Sequence, residues 1–193
     1  MTQEKFEELK NDYIENLEHF ISESGGLFPH LTLFGTSKSD NKASIIHFPI
    51  PDEYMKNNGT KDELVINVIP KLAKEISKDF SIIAMAWASE AWMRVLEKDE
   101  KMPEDYTSIP IKKEVVMISI EDEKGVKNII YDIHRGGKQV TEDGDLVDSI
   151  KLEKSEQLSD VVSQGRFVGL LKHFTNKHSV VDDLLNKIIS KEK

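Results

Sequence analysis

The chain has 193 residues, enough for one domain of ordinary size with a real core, since 38% of them are hydrophobic. Charged residues make up 32% and are interleaved with the apolar ones, which excludes a disordered chain, and the longest apolar run, Ile82–Ala88, is far short of the ~20 residues of a membrane span. A net charge of −9 argues against nucleic-acid binding, and the lack of any cysteine excludes disulfides, thiolate metal sites and cysteine nucleophiles.

Residues 2–22 read as an amphipathic helix. Phe6, Leu9, Tyr13, Leu17 and Phe20 recur at spacings of three and four, Thr2 stands at the N-cap, and Gly25-Gly26 ends the helix. The polar start of the chain is unlike a secretory signal and, with the missing cysteines, points to the cytoplasm. Two short strands follow, LTLFGT (31–36) and ASIIHFPI (43–50), joined by the turn-rich SKSDN; Pro49 and Pro51 close the second or confine it to an edge. A second helix is expected from Thr60, with Glu63 completing a capping box and Leu64, Val68, Leu72 and Ile76 as its stripe. Pro70 should kink or break it.

The run FSIIAMAWASEAWMRV (80–95) holds both tryptophans and is the most apolar part of the chain. Helix propensity and β-branched content compete in it. A strand is preferred, because the preceding helix already ends near Asp79 and a stranded middle needs a member buried on both faces. Ala84, Ala86 and Ala88 then share one face, where a helix could pack closely, and Ile83, Met85 and Trp87 the other. After a polar loop over 97–110, EVVMISIE and KNIIYDIH form an antiparallel hairpin with Gly125 at a positive-φ position. Gly136-Gly137 and EDGD (142–145) read as turns, with a short strand at 146–152. Helical stripes return at 158–162, at Phe167, Leu170, Leu171 and Phe174, and at 181–188. The expected fold is a single α+β domain over 1–193, one antiparallel sheet of about five strands covered by N-terminal, middle and C-terminal helices.

Few residues offer chemistry. Glu90 and Arg94, four apart on the central run, face the same way in a strand or a helix and are expected to pair; with Trp92 they form a candidate ligand-binding group. A structural salt bridge is the plainer reading of that pair. His47 and His134 lie in predicted strands, but no third ligand at metal spacing accompanies them, so no metal site and no cofactor is expected. The acidic run Glu142, Asp143, Asp145, Asp148 lacks the alternation of a calcium loop and reads as a solvated turn. Arg135-Gly136-Gly137 has no helix after it and is no phosphate loop.

Two segments, His30-Leu31-Thr32 in PHLTLFG and His173-Phe174-Thr175 in KHFTN, match the H-x-[ST] pattern, and PHLTLFG resembles the first motif of the two-histidine phosphoesterases. That resemblance implies His30 and His173 as base and acid on a cyclic or linear nucleotide, with Thr32 and Thr175 holding phosphoryl oxygens. Separately, ASEAWMRV (88–95) and IPIKKEVVMISIEDEKG (109–125) resemble uncharacterised bacterial and bacteriophage proteins, which implies a small cytoplasmic protein and no particular activity. The sequence therefore favours a non-catalytic protein that binds a protein partner or its own copy, with the phosphoesterase as its rival.

Overall fold

The computed structural model describes residues 1–94, 111–155 and 169–175. Helix α1 (Gln3–Ser24) is capped by Thr2, whose Oγ1 accepts from the Lys5 amide, and ends at Gly25 in the left-handed conformation (φ 71°). A hairpin follows, β1 (His30–Ser37) and β2 (Ala43–Pro49), and then short helices α2 (Asp52–Met55) and α3 (Asn58–Glu63). The helix continues through a wider π-turn over Leu64–Val68 into α4 (Ile69–Asp79). Four strands run in sequence as β3 (Phe80–Arg94), β4 (Ile111–Asp122), β5 (Gly125–Val140) and β6 (Leu146–Lys154), and α5 spans Leu171–Thr175.

All six strands form one antiparallel sheet in the order β2-β1-β3-β4-β5-β6. The α+β class with a single sheet is as expected, with one strand more. Helix α1 lies on one face and touches both outermost strands, β2 and β6, so the sheet curls around it. Phe6, Tyr13, Leu17 and Ile21 bury themselves there against Phe34, Ala84, Ala86, Ala88 and the Val116, Ile118 and Ile120 row. The three alanines leave room for the helix to approach the sheet closely, as their spacing predicted. Leu31, Leu33, Met85 and Trp87 line the other face, beneath α4 and α5. Among the described residues no helix is long and apolar enough to cross a membrane.

Several local expectations change. Ile21 takes the inward position assigned to Phe20, which is 48% exposed, because spacings of four from Tyr13 and Leu17 keep to the buried face. Asn57, not Thr60, is the N-cap; Thr60 is the third helical residue and returns the hydrogen bond, completing an Asn57–Thr60 capping box. Pro70 does not break the helix: it sits in the first turn of α4, and the π-turn before it absorbs the lost ladder bond. Strand β3 holds over Phe80–Arg94, but the register skips Ile83 between the Phe34–Ala84 and Gly35–Ile82 pairs. This bulge turns Ile83 to the α1 side, away from Met85 and Trp87. Gly136-Gly137 is no turn either; it lies inside β5 at a second shift in register, between Arg135 and Lys138. The hairpin glycine, Gly125, takes φ 139°, and a tight turn at 141–145 joins β5 to the long β6. The loop expected over 97–110 and the helices expected over 158–162 and 181–188 lie outside the described residues.

Candidate functional site

Glu90 and Trp92 alternate with apolar residues along β3, and so share the α1 side of the sheet with Ala88. The expected pairing of Glu90 with Arg94 falls on a side chain outside the described residues. The partner seen for Glu90 is Arg135. Glu90 Oε1 accepts from the Leu27 amide at 2.7 Å, and Oε2 accepts from Arg135 Nη2 at 3.1 Å. The same guanidinium grips Glu114 with two prongs, Nε to Oε2 at 2.8 Å and Nη2 to Oε1 at 2.6 Å. Nη1 donates to the Gly25 carbonyl at 3.2 Å and lies 3.8 Å from Asp148. Glu114 above all, then Glu90 and Asp148, hold Arg135 more firmly charged than a free arginine. A fork committed in this way to the protein's own oxygens is a clasp, with little left to offer a ligand. Sequence reading missed Arg135 because Arg-Gly-Gly suggested a turn. The available signal was a basic residue diagonal to Glu114, two positions beyond its partner in a hairpin whose register could be counted.

The four residues of the two H-x-[ST] segments do not converge. His30 pairs with Ala88, whereas the start of α5 is held by Glu121, which pairs with Met85 further back along β3. They also belong to opposite faces of the sheet: His30 contacts Tyr13 of α1, and α5 packs on α4 and β3 with the other cluster. The Thr175 hydroxyl donates to the Leu171 carbonyl of its own helix at 3.1 Å, and Thr32 Oγ1 is bonded to His47 Nδ1 at 3.0 Å. The phosphoesterase arrangement is therefore not formed, because one of the two motifs is helical and on the wrong face.

His30 belongs instead to a small polar network. Its Nδ1 donates to the Phe28 carbonyl at 3.0 Å, and its Nε2 meets the Tyr13 hydroxyl at 3.0 Å. The Tyr13 ring stacks on His47, with centroids 5.8 Å apart. Burial first of all lowers the pKa of His30, with His47 contributing, and burial lowers that of His47. Burial also pushes the Tyr13 phenol up. Both imidazoles thus favour the neutral form, which suits a network joining α1, β1 and β2. His47 and His134 remain apart, with β1, β3 and β4 between their strands, and His134 lies 3.3 Å from Glu153. Among the described residues no three His, Asp or Glu side chains gather as a metal would require.

Comparison with protein-family models, with curated proteins and with solved structures finds no match to this chain.

What remains at the Glu90–Arg135 end is a set of exposed apolar side chains. Among the described residues six large hydrophobic side chains are exposed: Phe20, Phe28, Ile66, Trp92, Val140 and Leu146. All but Ile66 lie at the end of the sheet where α1 stops. Phe28 follows Leu27 and Trp92 is two residues beyond Glu90, so they flank the Leu27–Glu90 bond. Val140 pairs with Leu146 beside Gln139, whose side-chain amide donates to the Ser22 carbonyl at 2.5 Å, two residues from Phe20. The Arg135–Gly25 bond ties the two groups together.

Proposed function

We propose that this chain is a non-catalytic binding protein, which docks a protein partner or a second copy of itself on the end of the sheet where α1 stops. One observation carries the reading: among the described residues, five of the six exposed large apolar side chains, Trp92 among them, lie at the end of the sheet that holds the Arg135 clasp. Trp92 is 66% exposed, although its companion Trp87 is wholly buried. A tryptophan left in water offers some 150–250 Å² of surface to bury, and tryptophan is enriched among residues that dominate binding energy. The clasp beneath it fixes four elements, so little ordering remains to be done when a partner arrives. We read the chain as cytoplasmic, in keeping with its lack of cysteine, and as bacteriophage-like from the ASEAWMRV and IPIKKEVVMISIEDEKG segments. Its charge of −9 supports a protein partner over a nucleic acid.

The test is site-specific photo-crosslinking, with the crosslinker placed at Trp92 or at Ile66, which is equally exposed on the π-turn away from this surface. The expected outcome is a discrete product from position 92, either a covalent dimer or one defined partner, and none from position 66. Equal products from both positions, or none from position 92, would overturn the proposal.

A further inference from the structure

At the opposite end of the sheet a cavity of about 640 Å³ opens where the start of α1, the start of β3, the β4–β5 turn and α5 meet. Its size falls within the roughly 300–1,000 Å³ of small-molecule sites. Phe6 from one core and Phe80 and Phe174 from the other are among its lining residues, beside polar Gln3, Ser77 and Ser81. Lys38, Lys124 and Lys172 stand around it, against Asp122 and Glu123. In a chain of net charge −9, a wall where cations outnumber carboxylates runs against the average. Asp122 is partly engaged, since its Oδ1 accepts from the Lys124 amide at 2.7 Å. Lys38 Nζ donates to the Ser77 carbonyl at 2.6 Å, a neutral acceptor that fixes the ammonium without cancelling its charge. Aromatic rings and ammoniums in one lining match a molecule that is apolar at one end and negative at the other.

We infer that this cavity binds a small anion with an apolar body, a carboxylate or a phosphate monoester, independently of the docking surface. The experiment is calorimetric titration of the full chain with phenyl phosphate and phenylacetate, and with inorganic phosphate as the headgroup alone. The expected result is saturable binding of at least one phenyl probe, weakened about tenfold by Lys124→Ala and again by Lys38→Ala, the loss of one charge-assisted contact each. Whichever phenyl probe binds more tightly tells phosphate from carboxylate. Circular dichroism of each variant verifies that a lost signal is not lost fold. Three results would overturn the inference: no heat from either phenyl probe, binding of inorganic phosphate as tight as that of phenyl phosphate, or unchanged affinity in folded Lys124→Ala and Lys38→Ala.

Discussion

His30 and His47 show how position decides the fate of a titratable side chain. Each would charge near pH 6.5 in an open chain, and each is held below that value by burial in the fold. The unfolded chain consequently takes up more protons than the folded one as pH falls below about 6.5, and stability falls with it, down to the lowered folded values. Urea unfolding should show a lower midpoint at about pH 5.5 than at about pH 7.5. The double variant His30→Gln, His47→Gln should flatten that part of the profile. If the drop has the same size in the variant, carboxylates elsewhere cause it. Neither histidine could be assigned this setting from sequence. H-x-T is a three-residue pattern, and what distinguishes His30 from His173 is the element that carries each one and the ring of Tyr13, seventeen residues away.

At the scale of elements, legibility followed periodicity. The helical stripe of α1, the β1–β2 and β4–β5 hairpins and the strand over 80–94 all rest on local repetition of apolar residues, and all are present. Bulges escape such reading, because one extra residue at Ile83 or at Gly136-Gly137 leaves the composition untouched and reverses the face of everything beyond it. Long-range pairs escape it too: Glu90 meets Arg135 two strands away, a contact that no local spacing announces. Glu121 is a further case, a carboxylate in an apolar hairpin with no sequence mark of its purpose. It is buried, and its Oε2 accepts from the amides of Gly169, Leu170 and Leu171 at 3.0, 3.0 and 3.4 Å, anchoring the start of α5 to β4. Glu121→Ala leaves those amides without their acceptor and should cost about 1–3 kcal/mol. Limited proteolysis should cut near α5 in the variant before the sheet opens. A wild-type cleavage pattern with unchanged stability would show that α5 is held by Leu171 and Phe174 alone.

Across the whole molecule, Arg135 joins the end of α1 to β3, β4 and β6 through Gly25, Glu90, Glu114 and Asp148. The site is about one third exposed, so water screens it, and Arg135→Lys should cost only about 1–2 kcal/mol by urea unfolding. A single ammonium cannot reproduce the planar fork, so a stability equal to wild type would mean that the fork geometry is incidental. The curl of the sheet has a consequence for biosynthesis. Helix α1 leaves the ribosome ahead of all six strands, yet one of the two margins it must touch, β6, is completed only at Lys154. Through most of translation its Phe6, Tyr13, Leu17 and Ile21 have no finished groove to enter, and the nascent chain carries a greasy, unpaired helix that a chaperone would recognise.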